Sequence, residues 1–351
     1  MARGSFSGYF RWTLLLMILL TVITAILNSA TLTNTIQQIL IYAALAIGYD
    51  YFSGFTGDYN LGFSAFVAIG AYIFALSSNA GLNLFLALIL AGAMAGIFSA
   101  AISYPFLRLR GAYFAIATLA MVILLYYLDI NLPQFTRGLI GMYVNVAASS
   151  NVKLLLPVGS LLFLLLSLWA HYVLSRSKMG LALRSMREDE EVAESLGIRA
   201  FRIKQYVMVL SGFFGGIGGG ILAMYFGFIN ADNVLGLSTA FFPVVAAMTG
   251  GSGIFLGPVV GSVVLVAVDI NLPSLINSIN PSIILGPLTI SGILLLVVGL
   301  FFPAGLLRTK ILQKYAYLRP DRLLEVAKGR NGVASTAALV KTDPDDKRMT
   351  G

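Results

Sequence analysis

The sequence contains no cysteine, a single histidine and few charged residues. Without cysteine, the chain can form no disulfide, no cysteine-ligated zinc site and no thiol nucleophile. One histidine leaves little scope for a metal site. Only 11% of the residues are charged, whereas soluble domains carry roughly 25%. So little polar material cannot cover a water-facing surface, and we therefore expect the chain to reside in lipid.

The hydrophobic residues, 58% of the chain, form continuous runs rather than alternating patterns. Continuous runs of about 20 residues are typical of membrane-spanning helices, whereas barrel strands alternate. We predict an all-α, polytopic transmembrane helical bundle of about ten spans. The predicted spans are 12–28, 36–54, 60–78, 82–106, 112–131, 153–174, 205–227, 238–250, 254–271 and 285–303.

The net charge of +8 is distributed unevenly between the loops. With ten spans, 21 of the 23 basic residues fall on one side, and only Arg137 and Lys153 fall on the other. Because basic residues favour the cytoplasmic side, we predict that both termini are cytoplasmic. The charge is then a topological signature and does not indicate nucleic-acid binding. Residues 1–307 form the predicted membrane domain, and 308–351 form a cytoplasmic tail that is disordered from about 330.

The sequence contains no pattern typical of an enzyme. It has no paired histidine and carboxylate motif and no nucleophile elbow. The glycine-rich segment 250–253 lacks the lysine and hydroxyl residue of a phosphate-binding loop. We therefore predict no catalytic residues, no cofactor and no metal ligands.

Asp50 is the one acidic residue well inside an apolar run. Carriers driven by an ion gradient usually have several charged residues within their spans, so a single one does not favour this mechanism. His171 lies close to the predicted cytoplasmic end of a span. We interpret it as an interfacial residue.

The segment 176–204 is the most informative polar stretch. In 188–196, acidic residues come first, Val192, Ala193 and Leu196 follow at helical spacing, and Gly197 is placed to end a helix. This pattern predicts a short amphipathic helix at the membrane surface that presents a face to a cytoplasmic partner. The alternative is a solvated, charged loop.

The stretch 191–197 resembles the Glu-Ala-Ala-x-x-x-Gly loop of ABC importer permeases, with Val192 as a departure from the motif. Over about 36–307, the chain resembles the permease family of branched-chain amino-acid ABC transporters, specifically the larger of its two permease types. Further segments that carry the resemblance are 54–66, 109–119, 250–258 and 302–307.

The resemblance implies a permease in a prokaryotic plasma membrane that carries branched-chain or related amino acids. It also implies a second permease subunit, two cytoplasmic ATP-binding subunits that dock on a coupling helix, and an external substrate-binding protein. The coupling residues would be Arg187, Glu188, Glu191, Ala193 and Gly197. Alternatives are a urea or short-amide ABC permease, a stand-alone secondary carrier or channel, and a structural membrane scaffold.

The sequence of segment 61–66 is approximately repeated in segment 235–241. Such an internal similarity is typical of an inverted repeat whose interrupted helices meet near a transport site. Small residues also recur in any tightly packed bundle, which is the interpretation we favour. Asn60 and Phe63 depart from the family's usual serine and histidine at these positions. The candidate residues on the translocation path are Asn60, Gly62, Ser64, Gly236 and Ser238.

Two further patterns are structural rather than chemical. Gly212, Gly216 and Gly220 recur at every fourth residue and predict a face for close helix packing. The identical stretches 129–133 and 269–273 read Asp-Ile-Asn-Leu-Pro. We interpret both as helix ends, in preference to a rim that contacts an external binding protein.

Overall fold

The computed structural model describes residues 30–145 and 152–279, together with 289, 292–293 and 305–308. Within these residues the fold is a bundle of helices. Their bounds are α1 Ala30–Thr56, α2 Phe63–Asn79, α3 Leu84–Phe106, α4 Ala112–Asn131, α5 Pro133–Thr136, α6 Val152–Arg176, α7 Lys178–Glu188, α8 Glu190–Ser195, α9 Ala200–Phe226, α10 Ala231–Leu235, α11 Leu237–Gly250 and α12 Gly257–Ile279. A short antiparallel pair joins β1 (Met142–Tyr143) to β2 (Phe228–Ile229).

The predicted spans between 36 and 271 each coincide with one long helix. Six helical stretches of the described part are long and apolar enough to cross a membrane, with α10 and α11 together forming one of them. Helix α2 and the apolar part of α12 are shorter. The all-α bundle of a multi-pass membrane protein is therefore confirmed. The predicted span 12–28, nearly all of 285–303, and the tail from 309 onward lie outside the described residues.

Two helices, α1 and α9, form the centre of the bundle. In α1, 94% of the most apolar window is buried, against 28% in α4. Helix α9 packs on α3, α2 and α1, whereas α3, α4 and α6 keep exposed apolar faces. A helix that is apolar on all sides can lie in the core of the bundle or against lipid. The position in the bundle, and not hydropathy, therefore distinguishes the central helices α1 and α9 from the outer helices α3, α4 and α6.

Close packing around α9 depends on its glycines. The predicted set, Gly212, Gly216 and Gly220, faces α3. A Cβ at Gly216 would lie 2.5 Å from the Cβ of Ala95. Gly219 faces α2, and a Cβ there would lie 1.9 Å from the carbonyl oxygen of Val67. Non-bonded atoms prefer separations of about 3.5 Å or more, so larger residues would force these helices apart.

The repeated Asp-Ile-Asn-Leu-Pro stretch ends a helix only once. Its first copy ends α4 at Asn131, as predicted. The second prediction is wrong, because α12 continues through Pro273 to Ile279. Proline removes one backbone hydrogen bond, but helices of membrane proteins tolerate this where neighbouring groups satisfy the freed carbonyl.

Candidate functional site

Asp50, a fully buried residue of α1, lies at the centre of a contact between three segments. Its carboxylate accepts hydrogen bonds from the Ser252 hydroxyl at 2.8 Å and from the Gly253 backbone N–H at 2.9 Å. On the other side, Nε2 of His171 lies 3.1 Å from Oδ2. Asp50 therefore joins α1 to α6 and to the loop between α11 and α12.

The interpretation of His171 as interfacial is wrong. Its side chain is 1% exposed and lies beside the rings of Tyr51, Phe55 and Phe255. Buried charged or polar groups need partners, and the buried carboxylate of Asp50 provides one. A lone acid and a lone histidine, each within an apolar run, were the available signal for this pair.

Two glycines allow the backbone to approach Asp50 closely. A Cβ at Gly54, one turn after Asp50, would lie 2.2 Å from Oδ1 of the carboxylate. Gly253 has a φ of +80°, and a Cβ there would lie 2.7 Å from the carbonyl oxygen of Gly54. The positive φ and the contact both favour glycine. Gly305 packs next to them, against the backbone of Gly251.

Arg187, at the end of α7, connects this region to the surface segment. Its Nη1 donates a hydrogen bond of 2.6 Å to the carbonyl oxygen of Gly54. That carbonyl belongs to the last turn of α1, where carbonyls lack helical partners and a cation is favourable. The contact was not predicted, since the sequence suggested only a role in binding a partner.

Lys204, near the start of α9, is the second ionic centre. Its Nζ lies 2.9 Å from Oδ2 of Asp58 and 2.9 Å from Oε2 of Glu190. Asp58 follows α1, and Glu190 begins α8. Nothing in the local sequence pattern singled out Lys204.

The turn between α1 and α2 and the first residues of α2 contain three of the predicted path residues. Asn60 donates its backbone N–H to the Ser53 hydroxyl at 3.1 Å and accepts from the Gly62 N–H at 3.0 Å. Asn60 and Ser64 are buried, and in the described part of the chain the Asn60 Nδ2 and the Ser64 hydroxyl have no hydrogen-bond partner.

The other two predicted path residues, Gly236 and Ser238, lie at the start of α11. This start follows α10, where Asp232 accepts a 2.7 Å hydrogen bond from the hydroxyl of Tyr126 near the end of α4. The two similar segments thus begin helices at opposite ends of the bundle, and α2 packs against both α10 and α11.

The predicted amphipathic helix is present as α8 and begins at Glu190 rather than 188. Asp189 is extended, and its carboxylate accepts the backbone N–H groups of Glu191 and Val192 at 3.0 and 3.1 Å. Gly197 follows with a φ of +88°. These are the expected caps of a short helix. Helix α7, capped by the Ser177 hydroxyl, was not predicted.

The apolar residues of α8 divide between two faces. Ala193 is buried against the bundle, whereas Val192 is 54% and Leu196 77% exposed. Glu188 and Glu191 are also exposed, and Glu191 lies 3.5 Å from Nη1 of Arg110. The outer face of α8 is therefore an apolar pair surrounded by acidic residues.

The segments that carried the sequence resemblance meet in one region, which we call the loop junction. It comprises 50–64, 108–111, 187–204, 250–257 and 305–308. The contacts of Asp50, Arg187 and Lys204 join 50–64, 187–204 and 250–257. Arg110 adds its pair with Glu191, and Gly305 packs on Gly251. Separate stretches of the sequence therefore build a single structure at one end of the bundle.

Comparisons with known proteins show the family to which the chain belongs. The family described as "Branched-chain amino acid transport system / permease component" matches residues 31–303. LivM of Escherichia coli K12, a high-affinity branched-chain amino acid transport system permease protein, is 30% identical over 256 residues, which cover 65% of this chain and 60% of LivM. LivH of Salmonella typhimurium, a permease protein of the same description, is 26% identical over 306 residues, with 80% and 93% coverage.

A shorter similarity extends to a nucleoside ABC transporter permease protein, NupC of Lactococcus lactis. It is 33% identical over 91 residues, which cover 23% of this chain and 28% of NupC. The chain spans about 60% of the length of the LivM relatives that it matches. No solved structure matches the chain.

Proposed function

The chain belongs to the family of branched-chain amino acid transport system permease components, and from this premise we propose that it is a transmembrane permease subunit of an ABC importer. It would carry branched-chain or related amino acids and form the translocation path with a second permease. ATP hydrolysis would take place on two cytoplasmic subunits, and an external binding protein would deliver the substrate.

The observation that carries this proposal is the outer face of α8. Val192 and Leu196 expose apolar side chains next to the exposed, acidic Glu188 and Glu191. Ala193 anchors the same helix to the bundle. An exposed apolar pair on a helix that is packed against the bundle is suited to bind a protein partner. The proposed partner is the ATP-binding subunit.

The proposed topology has about ten spans with both termini in the cytoplasm of a prokaryotic cell. The loop junction gathers the ends of α1, α3, α6 and α11 at one end of the bundle. The opposite end holds the β1–β2 pair and the starts of α10 and α11. The basic residues assign the loop junction to the cytoplasmic side. On this proposal, 1–307 is the membrane domain and 308–351 a cytoplasmic tail.

The proposed path includes the turn of Asn60, Gly62 and Ser64 on one side and Gly236 and Ser238 on the other. The support on the first side is the pair of buried, unpartnered polar groups of Asn60 and Ser64 within the described residues. Helix starts with small residues let a substrate approach backbone groups closely. Alternating access would expose these groups in turn, by a population shift between inward- and outward-facing states.

The experiment that tests the function is uptake by reconstituted liposomes. The chain is purified with its second permease and both ATP-binding subunits, and uptake of labelled leucine is measured with ATP and binding protein. We expect uptake to require both, and valine and isoleucine to compete better than urea. Competition by urea alone would favour the short-amide permease. Accumulation by the chain alone on a proton gradient would contradict the proposal.

A charge-reversal variant tests the docking face within the same assay. Glu188→Lys with Glu191→Lys alters exposed side chains and leaves the core contacts of α8 intact. We expect the variant to fold normally but to lose most of the co-purifying ATP-binding subunit. The matched control is Asp232→Asn at the other end of the bundle, which should retain it.

A further inference from the structure

Lys204 is the residue through which two separate segments of the loop junction are tied to one helix. Its side chain is mostly buried, with 8% of the residue exposed. Its ammonium group lies 2.9 Å from Asp58 and 2.9 Å from Glu190. Asp58 and Glu190 are 132 positions apart in the sequence, and neither carboxylate has another ion-pair partner among the described residues.

Asp58 belongs to the turn that presents Asn60. The turn is stiff, because Asp58 donates its N–H to the Thr56 hydroxyl at 3.2 Å and Asn60 donates to Ser53 at 3.1 Å. The Gly62 N–H then bonds to the side chain of Asn60 at 3.0 Å. These bonds hold the turn between the end of α1 and the start of α2.

Glu190 is the first residue of α8, the proposed docking helix. Its contact with Lys204 contrasts with that of Glu191, whose partner Arg110 lies 3.5 Å away with both side chains well exposed. Exposed pairs contribute little and dissociate easily. A mostly buried cation that loses its partner is costly, so the bonds of Lys204 are the ones that persist when α8 moves.

We propose that Lys204 is a positioning residue of the transport cycle, which makes the α1–α2 turn follow the movement of α8 by holding Asp58 and Glu190 together. This inference rests on the proposed function. A push on α8 by the ATP-binding subunit is transmitted through Glu190, Lys204 and Asp58 to the polar groups of Asn60. Arg187, bonded to the end of α1, keeps α7 in place beside this route.

The test measures how many ATP molecules are hydrolysed per substrate molecule taken up by the reconstituted complex. We expect Lys204→Gln to bind the ATP-binding subunits and hydrolyse ATP, but to lower uptake per ATP about tenfold or more. Lys204→Arg, which keeps the charge, should recover most of the uptake. The matched control is Arg202→Gln, an exposed cation of the same helix without an ion pair in the described region.

Two further variants keep the test valid if Lys204→Gln fails to assemble. Asp58→Asn and Glu190→Gln each leave Lys204 with one carboxylate, so assembly should be retained while uptake per ATP falls. Unchanged uptake per ATP in both, or in Lys204→Gln, would overturn the inference and leave the proposed function standing. Failure of the wild-type complex to couple uptake to ATP would instead contradict the proposed function itself.

Discussion

Asp50→Asn tests whether the buried carboxylate holds the loop junction together. The wild-type carboxylate is 0% exposed and accepts from Ser252, from Gly253 and, at 3.1 Å, from the histidine ring of His171. Asparagine has almost the same size, but it lacks the negative charge. Its amide nitrogen is a donor, so the His171 ring would have to accept a hydrogen bond there instead of donating one.

The expected loss follows from the number of bonds. A hydrogen bond to a charged group contributes about 1.5–3 kcal/mol, and a neutral one about 1 kcal/mol. The amide oxygen of asparagine can still accept from the loop, and its amide nitrogen can donate to Nε2 of His171 in the other tautomer of the ring, so the bonds remain but become neutral. We expect the free energy of unfolding to fall by about 2–4 kcal/mol.

An unfolding titration in mixed micelles measures this loss, with Asp232→Asn as the control. The carboxylate of Asp232 is exposed and accepts from one tyrosine hydroxyl, so its loss should stay below about 1 kcal/mol. A double-mutant cycle of Asp50→Asn with His171→Phe should give a coupling energy of about 1–2 kcal/mol. A loss under about 0.5 kcal/mol for Asp50→Asn, or strict additivity, would refute the reasoning.

Three further predictions concern other parts of the bundle. Gly219→Ala should lower the free energy of unfolding by about 2 kcal/mol or more through overpacking. The control is Gly159→Ala, which should not lower it, because a Cβ at Gly159 meets no atom within 4 Å. Equal effects of the two variants in the micelle titration would contradict the packing of Gly219. Tyr72→Phe removes the hydroxyl that donates to the Asp129 carboxylate at 2.7 Å and should cost about 1–3 kcal/mol; a neutral effect in the same titration would argue against that bond. Leu196→Ser should leave stability within about 0.5 kcal/mol but reduce co-purification of the ATP-binding subunit, and full retention would speak against docking on α8.

The helices of the bundle were largely predictable because the signal is local. A membrane-spanning helix is specified by its own continuous apolar run, and the predicted spans from 36 to 271 each coincide with a helix. The short helix α8 was also predictable, because its caps, Asp189 and Gly197, are its direct neighbours in the sequence. Helix α7 was missed, although Ser177 caps it and its buried residues Gly180, Leu183 and Met186 lie at helical spacing.

The contacts of the loop junction were not predictable, because they join distant residues. Asp50 and His171 are 121 positions apart, and Lys204 and Asp58 are 146 apart. Local patterns carry no information on which acidic residue meets which base. His171 was misinterpreted for this reason: its place near the end of a span indicated an interface, whereas its partner lies on α1.

Site-directed crosslinking from α8 is the most direct test of the central claim, that the ATP-binding subunit engages this chain there. The chain has no cysteine, so one introduced thiol is unique in it. Leu196→Cys is compared with Ile140→Cys, a position of similar exposure, 77% against 81%, which we place at the opposite end of the bundle. In intact cells, we expect a thiol-directed crosslinker to join only Leu196→Cys to the ATP-binding subunit, and an impermeant maleimide added outside to label only Ile140→Cys. The absence of that crosslink, or labelling of Leu196→Cys from outside, would contradict the account.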